Sequence, residues 1–121
     1  MGENKSYDLE ERTATFGEDV IEFTKKVPIN AINGSIITQL VKSGTSIGAN
    51  YAEANGASSK KDFKNKIYTC KKEAKETKYW LQLIAKTNPE HKEKCRELWQ
   101  EAQELILIFS KIALTLEKRA N

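Results

Sequence analysis

The chain has 121 residues, which is enough for one domain with a single hydrophobic core. Hydrophobic residues make up 39% and charged residues 31%, and the net charge of +3 is too small to indicate nucleic-acid binding by itself. Neither a secretory signal nor an apolar run long enough to cross a membrane is present. We therefore expect one cytoplasmic domain over residues 1–121.

The first half of the chain predicts two amphipathic helices, each with apolar or small residues at alternating steps of three and four. The first stripe ends before Pro28, has Ser6 as a candidate N-cap, and consists of Leu9, Thr13, Phe16, Val20, Phe23 and Val27. The second follows a turn in which Ser35 is a candidate cap, and consists of Ile37, Leu40, Gly44, Ile47, Tyr51 and Ala54. Since glycine inside a helix usually has a packing reason, Gly44 and Gly48 indicate close helix contact.

The second half predicts two longer helices with the same periodicity. The third begins with Ser59 and Asp62, which resemble a capping box, and its stripe is Phe63, Ile67, Cys70, Ala74, Thr77, Leu81 and Ile84. The fourth begins at Asn88-Pro89, and its stripe is Cys95, Leu98, Ala102, Leu105, Phe109, Ile112 and Leu116. Four such helices joined by short turns predict an all-α, antiparallel up-down four-helix bundle.

The two cysteines are predicted to be free thiols in the core. If helices three and four form a hairpin at Thr87-Asn88, Cys70 lies about ten residues farther from the turn than Cys95. This corresponds to a separation of roughly 15 Å along the helix axes. A disulfide requires α-carbons within about 7 Å.

The last two helices carry more apolar surface than one core stripe explains. Because a helix that is apolar on two faces is buried on two faces, a second contact surface is indicated. We expect self-association through Trp80, Trp99, Ile106 and Ile108. The alternative is a broad core-facing band with scattered surface apolar residues, which are normal.

Catalytic and metal-binding patterns are absent from the sequence. His91 is the only histidine, and no glutamate lies three residues before it, so the Glu-x-x-His motifs of a di-iron bundle are missing. A nucleophile with a histidine base is equally unsupported. We expect no enzyme activity, no metal and no cofactor.

A lysine-rich stripe on the third helix is the main chemical feature. Residues 60–78 hold eight lysines against three acids, a net charge of +5. We assign backbone-directed nucleic-acid binding to Lys60, Lys61, Lys64, Lys71, Lys75 and Lys78. The alternative is a solvated helix face with a Lys72 to Glu76 pair.

The run from Gly44 to Glu53, Gly-Thr-Ser-Ile-Gly-Ala-Asn-Tyr-Ala-Glu, resembles the signature of the 23S rRNA-intervening-sequence protein family. The Ser59-Lys60-Lys61-Asp62-Phe63 helix start and the stretch from Ala74 to Leu81 are similar to further parts of the family pattern, and the likeness extends from about Phe16 to Leu116. Three features depart from it: Ala54 follows Glu53, no arginine follows the second helix, and Lys72-Glu73 replaces a Gly-Ser pair.

The resemblance implies a four-helix bundle assembled as a homopentamer. Some members of this family are encoded inside insertions of bacterial 23S rRNA genes. Related accessory proteins of diversity-generating retroelements bind nucleic acid and partner a reverse transcriptase. The resemblance also implies a structural motif of Ser46, Ile47, Asn50 and Glu53, in which Asn50 and Glu53 hold the corner between helices two and three. A binding role for Asn50 and Glu53 is the alternative.

Together these features favour a non-enzymatic, oligomeric nucleic-acid-binding bundle that contacts an RNA or DNA backbone. The alternative is a protein-protein interaction scaffold that uses the apolar fourth helix and does not bind nucleic acid.

Overall fold

The computed structural model describes residues 8–120, which hold four α-helices. They are α1 (Leu9–Thr24), α2 (Gly34–Asn55), α3 (Lys60–Thr87) and α4 (Lys92–Ala120), and a short 3₁₀ turn, Pro89–His91, leads into α4. No strand interrupts the described part of the chain. The prediction of an all-α fold with four helices is confirmed.

The helix starts follow local capping chemistry, with some differences from the prediction. Asp8 caps α1 by accepting a 3.0 Å hydrogen bond from the Glu11 backbone N–H, and Ser6 lies outside the described residues. Ser59 caps α3 as predicted, accepting from the Asp62 N–H at 3.0 Å. At α2 the N-cap is Asn33 rather than Ser35, and its side chain makes no capping bond.

The core consists of the predicted stripes. All the stripe positions are buried except four at the edges of the bundle, which are half-buried: Tyr51, Phe63, Ile112 and Leu116. Each helix packs against the next one along the chain, and α1 also touches α4. Burial of the apolar stripes is therefore the main force that holds the four helices together.

Two glycines of α2 allow α1 to pack closely, as the sequence indicated. A Cβ at Gly44 would lie 3.0 Å from a methyl carbon of Val20, and one at Gly48 would lie 3.3 Å from the Thr13 carbonyl group. These separations are shorter than ordinary van der Waals contact. Small residues at both positions are therefore required by the distance between α1 and α2.

A buried amide pair joins the two connections at one end of the bundle. The fully buried Asn33 donates from Nδ2 to the Pro28 carbonyl at 2.9 Å and to Asn88 Oδ1 at 3.0 Å. Its own Oδ1 accepts from the Asn30 N–H at 2.8 Å. Because buried amides must be hydrogen-bonded, this network fixes the α1–α2 loop against the end of α3.

An arginine joins α1 to α4. Arg12 donates two hydrogen bonds to the Glu101 carboxylate, at 2.7 and 2.9 Å, and a third to Glu104 at 2.6 Å. The hydrogen bonds to Glu101 and Glu104 raise the pKa of Arg12 above its usual value, although partial burial opposes them. A forked, partly buried contact of this kind fixes the relative position of the two helices.

Both cysteines are buried free thiols, as predicted. Cys70 Sγ lies 3.6 Å from the Ile47 carbonyl oxygen of α2. Burial raises the pKa of Cys70 to about 12 and that of Cys95 to about 11, so both thiols are protonated at neutral pH.

Candidate nucleic-acid interface

The lysines of α3 differ in their surroundings. Lys60, Lys61 and Lys75 are exposed, whereas Lys64, Lys71 and Lys78 are half-buried along the side of α3 that meets α4. All six residues lie on one helix, and their spacing of three, four or seven residues places most of them on one flank. We call the line where α3 and α4 meet, together with this flank, the α3–α4 seam.

Lys64 is paired at one end of the seam. Its Nζ lies 2.8 Å from Glu117 Oε2 of α4, and the Tyr68 hydroxyl lies 2.7 Å from the same oxygen. The hydrogen bond with Glu117 raises the pKa of Lys64, and the bonds from Lys64 and Tyr68 lower the pKa of Glu117. Both lysine and glutamate therefore stay charged and partly neutralise each other.

Lys78 contacts α4 in the middle of the seam. Its Nζ donates a short hydrogen bond to Gln103 Oε1 and sits 4.2 Å from the centre of the Trp99 ring, which is a cation–π contact. Its positive charge has no carboxylate among the described residues within ion-pair distance.

Lys60, Lys61, Lys71 and Lys75 form no ion pair with the described residues. Five of the six candidate lysines, these four and Lys78, therefore form no ion pair with a carboxylate of the described residues. A row of unpaired cations on one flank is what an electrostatic contact with phosphates requires.

The motif residues of α2 act mainly inside the helix or the core. Ile47 is fully buried, Ser46 Oγ donates to the Lys42 carbonyl at 2.6 Å, and Asn50 Nδ2 donates to the Ser46 carbonyl at 2.8 Å. The Glu53 side chain forms an ion pair with α3, where its Oε1 lies 2.6 Å from Lys66 Nζ. The structural interpretation of the α2–α3 corner therefore fits Glu53, whereas the side-chain bond of Asn50 is local.

The predicted apolar interface residues have more cover than the sequence suggested. Ile106 is only 7% exposed, so the expectation that a single chain leaves it uncovered is wrong. It lies among the core residues because α4 packs against both α1 and α3, which widens its buried face. Trp80, Trp99 and Ile108 are half-buried against the core.

The large apolar side chains that are most exposed are not those of the predicted interface. Leu107 is 59% and Leu114 57% exposed on α4, and Ile29 and Ile32 in the α1–α2 loop are 73% and 71% exposed. Leu107 and Leu114 are seven residues apart, so they share one face of α4, and this spacing was visible in the sequence.

The structure contains little that resembles an active or metal site. Within the described residues, no group of three or more His, Cys, Asp or Glu side chains is placed to hold a metal ion. Over the same residues, no helix is both long and apolar enough to span a membrane.

A surface groove of about 370 Å³ lies between α3 and α4, close to the turn that joins them. Its apolar lining includes Leu81, Ala85, Cys95 and Trp99. Lys92 and Arg96 of α4 are the charged residues that line it, and no acid is among the described residues of its lining. The groove was not foreseen from the sequence, because it depends on how α3 and α4 meet.

Comparison with known proteins agrees with the sequence resemblance. No match was found among curated protein sequences. A crystal structure of a protein with unknown function from the S23 ribosomal protein family of Bacteroides thetaiotaomicron is similar, with a TM-score of 0.76 and 29% sequence identity. The alignment covers 90% of this chain and 97% of that one. The model of the 23S rRNA-intervening sequence protein family matches residues 5–111. This chain therefore belongs to the 23S rRNA-intervening sequence protein family.

Proposed function

We propose that the protein is a non-enzymatic, cytoplasmic, antiparallel four-helix bundle that self-associates and binds the backbone of RNA or DNA through the α3–α4 seam. The observation that carries the proposal is a row of α3 lysines that have no acidic partner within residues 8–120: Lys60, Lys61, Lys71 and Lys75. By contrast, Arg12 is held by two carboxylates of α4, and Lys66 of α3 is held by Glu53 of α2. Helix α3 contributes no arginine to the seam. Recognition of nucleic acid is therefore directed to phosphates rather than to base edges.

The antiparallel arrangement is supported by contacts between helix ends. Asn33, just before α2, bonds Asn88, just after α3. Lys64 near the start of α3 pairs with Glu117 near the end of α4. Both contacts join the beginning of one helix to the end of its neighbour, as short connections between adjacent helices require.

Self-association is supported by the apolar residues that one chain leaves exposed. Leu107 and Leu114 share one face of α4, and Trp80 and Ile108 are half-buried. The family resemblance points to a homopentamer of bacterial origin, in which five copies of +3 give a net charge of +15. Mass photometry or light scattering tests this: we expect about five times 13.7 kDa, and a monomer would contradict it.

The test of nucleic-acid binding is fluorescence anisotropy with labelled single-stranded and double-stranded RNA and DNA. We expect binding at about 50 mM salt that weakens by several orders of magnitude at about 200 mM. Replacing Lys71 and Lys75 with Gln should reduce the slope of log K against log salt by about 1.5. The Lys26→Gln, Lys42→Gln control removes the same charge from exposed positions in other parts of the chain and should leave the slope unchanged. No binding at low salt, or equal effects of both pairs, would contradict the proposal.

A protein-interaction scaffold is the second candidate, favoured by the α1–α2 loop. Asn30 and Asn33 hold this loop in place, yet Ile29 and Ile32 project into solvent. A rigid loop with two exposed isoleucines is suited to a partner protein. If the Ile29→Ser, Ile32→Ser variant keeps both the oligomeric mass and the nucleic-acid affinity, this loop is free for another partner. A reverse transcriptase encoded next to this gene would be the first partner to test.

A further inference from the structure

We propose that the α3–α4 groove receives a single unstacked base of a single-stranded nucleic acid, with the base against Trp99 and its phosphate between Lys92 and Arg96. This inference rests on the proposed function, because the lysines of the seam deliver the strand. It adds a preference for single strands, which backbone contacts alone do not give.

The first support is continuity between the lysines and the groove. Lys71, Lys75 and Lys78 follow one flank of α3, and Gln82, four residues after Lys78, lines the groove. From Lys64 to Gln82 the helix rises roughly 27 Å, a length that spans several nucleotides. A strand held by the lysines is thus led directly to the groove.

The second support is the chemistry of the lining. The apolar wall contains Trp99, and aromatic side chains are the usual platforms for unstacked bases because every base has a π-face. The neighbouring thiol of Cys95 is protonated at neutral pH, so this wall carries no negative charge. The Gln82 and Gln100 amides offer both donors and acceptors to a base edge.

The third support is the charge around the groove. Lys92 and Arg96 line it, and the Lys78 ammonium lies on the Trp99 ring. Two cations thus line a groove whose described lining residues include no acid. A volume of 370 Å³ is at the lower end of the range of roughly 300–1,000 Å³ that small-ligand sites occupy. An anionic ligand with one flat ring, which is a nucleotide, fits these features.

The test compares two probes of equal length and charge: a twelve-nucleotide oligouridylate and an abasic oligomer with the same number of phosphates. We expect the full-length protein to bind the oligouridylate about tenfold more tightly, since base stacking adds to phosphate contacts. The Trp99→Leu and Arg96→Gln variants should lower the affinity for the oligouridylate, and Trp99→Leu should remove the difference between the probes. The Lys71→Gln, Lys75→Gln variant should weaken both probes equally and keep their ratio.

Fluorescence provides a second readout that does not require a destabilising change. The chain has two tryptophans, so Trp80→Phe leaves Trp99 as the sole indole. The buried Nε1 of Trp80 has no hydrogen-bond partner among the residues that the structure describes, so replacement by Phe removes none of the described bonds. We expect the oligouridylate, but not the abasic oligomer, to quench the remaining fluorescence.

Three outcomes would overturn the inference. Equal affinity of the wild-type protein for the two probes would show that the groove takes no base, while the proposed function would stand. No binding of either probe at low salt would remove both. Dissociation of the oligomer by Trp99→Leu would show that the groove is filled by another copy of the chain. We expect its oligomeric mass to be unchanged.

Discussion

The contacts that α4 makes with α1 and with α3 use charge differently. Where α4 meets α1, Arg12 is bound by two carboxylates, and the cation serves the fold. On α3, Lys64 pairs with Glu117 of α4, whereas Lys71 and Lys75 have no acidic partner among the described residues, and a groove lies open between α3 and α4 near the turn. The Arg12 charge is therefore spent on holding α1 against α4, whereas the charges of Lys71 and Lys75 on α3 are left for contact with a partner.

The largest effect on RNA affinity is expected from reversing the charge of the unpaired lysines on α3. Replacing Lys71 and Lys75 with Glu should lower the affinity for single-stranded RNA about 100-fold at low salt, because phosphate contacts are replaced by repulsion. Thermal unfolding should change little, since neither lysine is paired with an acid. The matched Lys26→Glu, Lys42→Glu variant should lose much less affinity. An equal loss in both variants would mean that net charge alone drives binding.

At the contact between α1 and α4, loss of Arg12 should lower the stability of the fold and leave the affinity for nucleic acid unchanged. Arg12→Ala leaves Glu101 and Glu104 side by side without their cation, and we expect the free energy of unfolding to fall by about 2 kcal/mol. Urea denaturation measures it. The control Lys25→Ala removes an exposed pair with Glu22 and should cost less than about 0.5 kcal/mol. If Arg12→Ala weakened nucleic-acid binding while stability held, the two contacts of α4 would not be distinct.

Close packing between α1 and α2 predicts a smaller loss. Gly44→Ala places a methyl group 3.0 Å from Val20, and we expect a net loss of about 1 kcal/mol after the gain in helix propensity. Gly17→Ala is the matched control, since its Cβ would meet atoms no closer than 3.5 Å. The control should be neutral or stabilising in the same denaturation experiment. Stabilisation by Gly44→Ala would show that the two helices can separate.

The smallest effect is the alkaline dependence contributed by the buried thiols. Below about pH 9 the thiols are protonated in both the folded and the unfolded chain. Above about pH 9 the thiols of the unfolded chain lose their protons while those of the folded chain keep them, so stability falls as the pH rises. The fall continues until the pH passes the folded pKa values of about 12 for Cys70 and about 11 for Cys95.

The Cys70→Ala and Cys95→Ala variants isolate these contributions. Between pH 8 and 9.5 each variant should lose stability less steeply than the wild-type protein, by roughly 0.8 kcal/mol. Measuring the urea midpoint at both pH values checks this. Identical slopes in the wild-type protein and both variants would mean that the thiols are accessible to water in the folded state.

The core was predictable from sequence, whereas contacts between distant segments were not. The stripes were visible because a helix repeats every 3.6 residues, which is a local property. Arg12 and Glu101 lie 89 residues apart, and Asn33 and Asn88 lie 55 apart, so no local pattern connects them. Ile106 was placed on an outer face because it lies about 100° from Leu105 around the helix. Packing of α4 against two neighbours covers a wider arc than a single stripe suggests.

The lysine stripe shows the same limit at the candidate site. Spacing along α3 was enough to place these residues on one flank, and the net charge of +5 was read directly from the sequence. It did not show that Glu117 neutralises Lys64 or that Lys78 lies on Trp99. Both contacts depend on which residues of α4 lie opposite α3. They engage two of the six candidate lysines, so fewer lysines are left to contact phosphates.

Lysine footprinting of the complex tests the central claim most directly. The protein is acetylated briefly with and without a single-stranded RNA oligomer at low salt, and the modification of each lysine is read by mass spectrometry. We predict that RNA protects Lys71 and Lys75 several-fold and leaves Lys26 and Lys42 unchanged. Protection of Lys26 and Lys42 equal to that of Lys71 and Lys75, or no protection on α3, would contradict the account.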